Sequence, residues 1–263
     1  MHPLITSLQN PKIKNVVALE KARERKRQGV FLIEGVRETT LAIQAGYEMQ
    51  TVFFCPEILP ATELTGLVRD ESLLVPVQRT VFEKLAYRES TGGVLAVARQ
   101  RKHSLSSIKL SQNPLILIVE AVEKPGNLGA LLRTADAANL DAVIICDPQT
   151  DFYNPNVIRS SVGCVFTRQI ASATTTETIA WLAKKDITSY CTYLEASQPY
   201  HTCDYTKPCA IVMGTESTGL SEEWVKNAGA NIIIPMQGKI DSINVSTAAA
   251  VVIFEAKRQR NFT

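Results

Sequence analysis

The sequence is poor in the residues from which metal sites and disulfide frameworks are built. It has three histidines and six cysteines in 263 residues, and no two cysteines form a CxxC pair. Disulfide-stabilised domains are smaller and denser in cysteine. His201, Cys203 and Cys209 lie close together along the chain, but a fourth zinc ligand at the usual spacing is missing. We therefore expect free thiols and no metal.

The chain also lacks long apolar stretches. No run approaches the roughly 20 apolar residues that a membrane-spanning helix needs, and residues 1–14 contain no apolar signal segment. Hydrophobic residues nonetheless make up 45% of the chain, which is enough for one or two packed domains. These features predict a cytoplasmic protein without a membrane partner.

Charge is unevenly distributed along the chain. Residues 1–110 carry 16 Lys and Arg against 11 Asp and Glu, whereas residues 111–263 carry 12 against 15. A basic first part points to a polyanionic partner. The segment before Pro114 is polar and has no apolar periodicity. We therefore predict a first domain, a linker and a second domain, with the boundaries 1–100, 101–113 and 114–263.

Strand-like and helix-like segments alternate in both parts. The first part reads as a small α/β domain that begins with one helix over residues 13–30. From Leu115 onward, uninterrupted apolar strands alternate with helices, as in parallel sheets that are buried on both faces. The second part is therefore predicted to be a parallel α/β sheet that closes with a helix from about Asn244 to Arg258.

Ligands of such sheets bind in the loops that follow the strands, and the first candidate loop is 123–137. It contains Asn127 between two glycines and, on the following helix, Arg133. A GxGxxG dinucleotide fingerprint is absent. Asn127 and Arg133 are less than two helical turns apart, so both can approach one pocket. Alternatively, Asn127 caps the helix and Arg133 pairs with Asp136 on its surface.

The second candidate loop lies within residues 211–224. Gly214 and Gly219 have the GxxxxG spacing of a phosphate-binding loop, but Leu220 replaces the lysine that an NTPase requires. Small residues still let a ligand approach the backbone. Glu216 is either a helix cap or a charge held for function.

The third candidate loop lies within residues 232–256. It brings Ser242, Asn244 and Ser246 to the start of a helix rich in Ala and Val. Each of these residues is a good N-cap. More polar side chains crowd this helix start than one cap requires, so we interpret the segment as a binding loop.

Taken in order, the three loops resemble the three motifs of the SpoU/TrmH-type RNA 2′-O-ribose methyltransferases of the SPOUT superfamily. The matching segments are Asn127-Leu-Gly129 with Arg133, MGTESTGLS at 213–221 and IPMQGKIDSINVSTAAAVVIFEA at 234–256. The first part is similar to the family's small, ribosomal-protein-like substrate-recognition domain, as in the two-domain thiostrepton-resistance type. The segments that carry this second likeness are FLIEGVRE at 31–38 and FEKLAYRESTGGVLAVA at 82–98.

The resemblance implies a fold, a cofactor and a partner. The fold is a deep-trefoil-knotted second domain, the cofactor is S-adenosylmethionine in a bent shape, and the partner protein is a second copy of the chain. The residues that it places against the cofactor are Leu194, Met213, Gly214, Thr215, Gly219, Ile234, Met236 and Ile243.

The resemblance also implies a catalytic set, and these residues are Arg133, Asn127, Glu216, Ser242 and Asn244. It places Arg133 beside the ribose oxygen as general base. A guanidinium normally keeps its proton in proteins. Arg133 could instead bind a phosphate of the target RNA and stabilise the alkoxide that forms at the ribose 2′-oxygen.

The resemblance implies RNA as the partner, which fits the basic first part, and it favours ribosomal RNA over transfer RNA. The candidates for phosphate contacts are Lys12, Arg23, Arg25, Arg37 and Arg88, with Phe31 or Tyr87 stacking on bases. The basic run 21–27 is equally typical of a helix C-terminus. The alternatives are a transfer-RNA ribose methyltransferase and a non-catalytic RNA-binding protein on the same scaffold.

Overall fold

The computed structural model describes residues 2–86, 92–195, 197–215 and 217–262. The chain forms two compact units. The first unit comprises Met1–Arg101 and Asp151–Thr167, and the second comprises Lys102–Thr150 and Arg168–Thr263. Residues 151–167 thus group with the first unit. The domain boundaries drawn from the sequence stay a prediction.

Both units are built from alternating strands and helices. In chain order the strands are β1 Val30–Glu34, β2 Met49–Phe54, β3 Leu74–Pro76, β4 Val94–Arg99, β5 Leu115–Glu120, β6 Ala142–Cys146, β7 Gln169–Ala173, β8 Thr188–Thr192, β9 Gln198–Pro199, β10 Cys209–Met213 and β11 Ala230–Ile233. The helices are α1 Pro11–Ala18, α2 Ala22–Gln28, α3 Val36–Gln44, α4 Ala61–Thr65, α5 Arg79–Leu85, α6 Pro125–Ala137, α7 Pro155–Ser160, α8 Thr175–Lys184, α9 Glu222–Asn227 and α10 Val245–Gln259.

The first unit contains a four-stranded mixed sheet in the order β1-β4-β2-β3. Strand β4 pairs antiparallel with β1 and β2, and β3 pairs parallel with β2. The apolar residues of α1, such as Ile13 and Val16, join Phe53 and Phe82 in its core. Phe31 is fully buried and stacks on Tyr153, with ring centroids 4.2 Å apart. Phe31 is therefore a core residue, and its predicted stacking on RNA bases is wrong.

The single helix predicted over residues 13–30 is two helices. α1 ends at Ala18 and α2 begins at Ala22. The carbonyls of Leu19 and Glu20, at the end of α1, accept hydrogen bonds from Nη1 of Arg25 at 2.9 and 2.7 Å. A helix end leaves such carbonyls without partners in the helix, and Arg25 supplies the partner from α2.

Arg25 is therefore a structural residue. It is 1% exposed, and its Nε and Nη2 also reach Oδ2 of Asp151 at 2.9 and 2.8 Å. The predicted contact of Arg25 with RNA is wrong, because its guanidinium is buried and bonded within the chain. Lys12, Arg23 and Arg37 are exposed.

The second unit contains a seven-stranded sheet in the order β7-β6-β5-β10-β8-β11-β9. All of its strand pairings are parallel. Every residue of β5, β6 and β10 is buried, which requires cover on both faces of the sheet. Helix α10 packs on α6 and on β10, and α8 packs on α9. The predicted parallel α/β fold is confirmed.

None of the helices in the described part of the chain combines the length and apolarity that crossing a bilayer requires.

The ion pair of Arg25 and Asp151 gives a stability prediction. Arg25→Ala removes one partner of a buried pair and leaves the end of α1 uncapped, so we expect the free energy of unfolding to fall by about 2–3 kcal/mol. Denaturant unfolding followed by circular dichroism measures the loss. Arg23→Ala, an exposed arginine on the same helix, is the matched control and should change stability by less than about 0.5 kcal/mol. Equal unfolding midpoints for the two variants would contradict the structural role of Arg25.

Candidate active site

The candidate site lies at the carboxyl edge of the seven-stranded sheet. Strand β10 lies between β5 and β8, and the register pairs Met213 of β10 with Val119 of β5. Because these strands are parallel, the loops that follow them leave the sheet at the same edge. The three candidate loops of the sequence follow β5, β10 and β11, so the topology brings them together.

The loop after β10, residues 214–221, folds back on itself, and we call it the return loop. The backbones of Thr215 and Gly219 pair in both directions, with N–H to O distances of 3.0 and 3.2 Å. Gly219 has a φ of +69°, which favours glycine. A Cβ on Gly214 would lie 2.3 Å from the carbonyl carbon of Gly219 and 2.5 Å from N of Leu220. Only glycine permits this approach of two backbone segments.

A cavity of about 710 Å³ opens beside the return loop. Ligand pockets of drug-sized molecules have volumes of this order, with apolar walls and a few polar groups. The lining includes all eight residues that the sequence assigns to the cofactor, namely Leu194, Met213, Gly214, Thr215, Gly219, Ile234, Met236 and Ile243. They come from the last residue of β10 and from the loops after β8, β10 and β11, which are separate in sequence.

A smaller cavity of about 80 Å³ adjoins the larger one. The two share Gly214, Thr215, Ser217 and Val245, and the smaller one is also lined by Asn127. The start of α6 therefore lies next to the larger cavity.

A hydrogen bond between Asn127 and Asn244 connects the start of α6 to the start of α10. Nδ2 of Asn244 donates to Oδ1 of Asn127 at 3.3 Å. Oδ1 of Asn244 accepts from the backbone N–H of Ser246 at 2.9 Å, so Asn244 is also the N-cap of α10. The N-cap of α6 is Lys124 rather than Asn127. Asn244 therefore caps its helix and also lines the larger cavity, and its part in binding stays a prediction.

Ser242 lies in the same lining, on the loop before α10. Its hydroxyl donates to Oδ1 of Asp241 at 3.0 Å, and both residues are exposed. A hydroxyl and a carboxylate therefore face the ligand space from this loop.

Arg133 is placed differently from the other candidates. It is exposed on α6 and lines neither cavity. Within the described residues its guanidinium has no hydrogen bond or ion pair, and Asp136 instead pairs with Nε of Arg168 at 3.4 Å. The surface pairing of Arg133 with Asp136 that the sequence left open is therefore not formed. Glu216, Arg88 and Tyr87 lie outside the described residues.

Sequence reasoning missed several polar residues of the larger cavity. They are Thr192, Tyr193, Glu195, Thr218 and Asp241. Each follows or precedes a predicted residue by one or a few positions, so a search of whole loops, rather than of motif positions alone, could have found them.

The thiols of Cys146 and Cys191 are buried in the second unit. Burial raises the pKa of the thiols of Cys146 and Cys191 to about 12. Both therefore stay protonated near neutral pH and are poor nucleophiles or metal ligands. In the described ranges no three His, Cys, Asp or Glu side chains form a group that could hold a metal ion.

The comparisons with known proteins agree with this arrangement. Residues 114–254 match the model of the SpoU rRNA methylase family, and residues 10–96 match that of the MRM3-like substrate binding domain. The chain is 26% identical to the 23S rRNA (guanosine(2553)-2′-O)-methyltransferase RlmP of Bacillus subtilis (strain 168), over 96% of this chain and 98% of the relative.

Two solved structures of RNA methyltransferases are also similar to this chain. An RNA 2′-O ribose methyltransferase superposes with a TM-score of 0.86 and 37% identity, covering 98% of this chain and 100% of the other. An AdoMet-bound rRNA methyltransferase from Sinorhizobium meliloti superposes with a TM-score of 0.88 and 31% identity, covering 97% of each chain.

The parallel sheet, the cavity at its edge and these matches define a class of protein, the S-adenosylmethionine-dependent RNA 2′-O-ribose methyltransferases. Within that class, the chain belongs to the SpoU rRNA methylase family.

The close approach at Gly214 gives a prediction about ligand binding. Gly214→Ala forces the return loop to open, because its Cβ would meet backbone rather than a flexible side chain. We expect binding of S-adenosylhomocysteine, measured by calorimetry, to weaken by about tenfold or more, which corresponds to about 1.4 kcal/mol.

Gly126→Ala is the matched control for this prediction. Gly126 lies in the first turn of α6, and a Cβ there meets nothing within 4 Å. The control should bind S-adenosylhomocysteine as the wild type does and lose no stability, since alanine favours helix. Wild-type affinity in Gly214→Ala would show that the fold of the return loop does not shape the cavity.

Proposed function

We propose that this chain transfers a methyl group from S-adenosylmethionine to a ribose 2′-hydroxyl of large-subunit ribosomal RNA. The observation that carries the proposal is that all eight residues assigned to the cofactor line one cavity of about 710 Å³. The Asn127–Asn244 pair beside that cavity and the full-length similarity to a 23S rRNA methyltransferase support it.

The cavity fits the chemistry of the cofactor. Ile234, Met236 and Ile243 offer apolar walls for a purine ring, and Glu195 and Asp241 offer carboxylates for a cationic ligand. Gly214, Thr215 and Gly219 of the return loop line the same cavity. When bound, S-adenosylmethionine supplies a methyl group activated by a positively charged sulfur.

The residues of this chain would then align the ribose and handle its proton. Alignment of two reactants alone can lower a barrier by roughly 7–11 kcal/mol. We assign the positioning of the ribose to Asn127, which lines the smaller cavity, and to Ser242 and Asn244, which line the larger one. Glu216 is the remaining member of the catalytic set. We include it in this proposal because of its position in the sequence of the return loop.

Arg133 is assigned to the RNA rather than to the cofactor. Its exposed guanidinium is not engaged by any described residue, so its donors are available to a phosphate of the bound RNA. From there it would stabilise the alkoxide as the 2′-hydroxyl loses its proton. An arginine that engages only bound RNA need not line the cofactor cavity in the free protein.

We assign RNA recognition to the first unit. Lys12, Arg23 and Arg37 are exposed there, and the unit matches a substrate-binding domain. Exposed cations contact phosphates without reading sequence, so these residues would fix the position of the RNA. Arg88 remains a candidate by its sequence alone.

A homodimer and a threaded second unit complete the proposal. The exposed Phe254 on α10 and Phe262 after it, at 41% and 64% exposure, are suited to cover by a second copy. Helix α10 follows β11 yet returns to pack on α6 and β10, and this connectivity is consistent with a knot. Ribosomal RNA as substrate also agrees with a cytoplasmic location.

The proposed role of Arg133 gives a prediction about turnover. Arg133→Lys keeps the charge but loses the planar fork of donors. We expect methyl transfer to unmodified ribosomal RNA to slow by about 100-fold, whereas calorimetric binding of S-adenosylhomocysteine stays at the wild-type value. Asp136→Asn on the same helix is the control and should keep wild-type turnover. Near-wild-type turnover in Arg133→Lys would remove the guanidinium-specific role.

The choice of RNA is tested by supplying labelled S-adenosylmethionine with separated unmodified ribosomal and transfer RNAs. We expect label in 23S rRNA, at a 2′-O-methyl position that is absent from a deletion strain. Label in transfer RNA alone would contradict the proposed substrate. The absence of label in any RNA, with intact cofactor binding, would favour a non-catalytic RNA-binding protein.

A further inference from the structure

A buried carboxylate lies at the end of β5, next to the loops of the site, and has no role in the chemistry described above. Glu120 is the last residue of β5 and is 6% exposed. A buried carboxylate is costly unless hydrogen bonds satisfy its oxygens. The donors that satisfy Glu120 therefore indicate what it holds in place.

Among the residues that the structure describes, three hydrogen bonds reach Glu120. Oε2 accepts from the backbone N–H of Ser221 at 2.8 Å, and Oε1 accepts from the hydroxyl of Ser221 at 2.7 Å. Oε1 also accepts from the hydroxyl of Thr175, the first residue of α8, at 2.9 Å. Two of the three bonds thus hold one residue, Ser221.

Ser221 is the point at which the return loop ends and α9 begins. The start of the loop, Gly214, lies level with Glu120, because Met213 pairs with Val119 in the parallel register. Both ends of the return loop are therefore fixed at the end of β5. Strand pairing fixes the first end, and the carboxylate of Glu120 fixes the second.

We propose that Glu120 is a positioning residue for the methyl-donor site. By holding Ser221, it keeps the return loop in the folded-back shape in which Gly214, Thr215 and Gly219 line the cavity. Glu120 is not among the described residues that line either cavity, so it acts through the loop rather than by touching the donor. The identity of the ligand in this inference rests on the proposed function.

The test uses three variants of the full-length chain. Glu120→Ala removes both acceptors. Glu120→Gln keeps one acceptor for the N–H of Ser221, and its amide can donate to the hydroxyls, which can rotate to accept. Thr175→Val is the matched control, since it removes one hydrogen bond to Glu120 but leaves both bonds to Ser221.

Two measurements are made on each variant. Calorimetry with S-adenosylhomocysteine should show a Kd about tenfold higher in Glu120→Ala, or about 1.4 kcal/mol, and wild-type values in Glu120→Gln and Thr175→Val. Hydrogen exchange without ligand should be faster in residues 214–221 of Glu120→Ala and unchanged in α10. With labelled S-adenosylmethionine, KM for the donor should rise in Glu120→Ala, while kcat at saturating donor stays close to the wild-type value.

Two outcomes would overturn the inference. One is wild-type affinity and wild-type exchange of the return loop in Glu120→Ala. The other is equal weakening in Glu120→Ala and Thr175→Val in step with their melting temperatures, which would show a general loss of stability. If the wild type itself fails to bind S-adenosylhomocysteine, the proposed function fails, and hydrogen exchange of the return loop alone decides the role of Glu120. If Glu120→Ala does not fold, Ser221→Ala replaces it, with the same expected direction and a smaller rise in Kd.

Discussion

The contact between two backbone segments at Gly214 is the constraint on which the site depends. The return loop can fold back only because Gly214 has no side chain and lies against the backbone of Gly219 and Leu220. This fold-back leaves the space beside β10 free. The cavity of about 710 Å³ is lined by this loop and by the loops after β8 and β11, which the parallel sheet brings to one edge. A larger residue at Gly214 would force the return loop open, because its side chain would meet the backbone of Gly219 and Leu220.

Hydrogen bonds between distant segments then fix the parts of the site relative to one another within the second unit. Asn244 joins the start of α10 to Asn127 at the start of α6, and Glu120 joins the end of the return loop to β5. The bond to Glu120 satisfies a carboxylate oxygen in the interior, where an unpaired polar group is costly. The site is thus held by polar contacts at loop ends, on a sheet that is rigid because its central strands are fully buried.

The elements that could be predicted from the sequence are those that local pattern or topology determines. The apolar run that begins at Leu115 indicates a strand buried on both faces, and parallel strands bring their following loops to one edge. The grouping of Gly214, Ile234 and Ile243 around one cavity follows from that rule. The resemblance to a family added the cofactor, which local pattern alone leaves open.

The elements that could not be predicted depend on partners far away in sequence. Arg25 looks like any residue of an exposed basic run, but its partner Asp151 is 126 positions away and draws it into the interior. The same side chain also bonds the chain between α1 and α2, where its Nη1 donates to the carbonyls of Leu19 and Glu20. Similarly, asparagine commonly caps helices, so Asn127 looks like a cap in the sequence. Its contact with Asn244, 117 positions away, shows that it faces the site.

The most direct test of the central claim is a calorimetric titration of the wild-type chain with S-adenosylmethionine, with ATP and NAD titrated separately under the same conditions. The arrangement of the return loop and its neighbours predicts saturable binding of one S-adenosylmethionine per chain and no measurable binding of the two nucleotides. A folded protein that does not bind S-adenosylmethionine, or that binds ATP or NAD instead, would contradict the account.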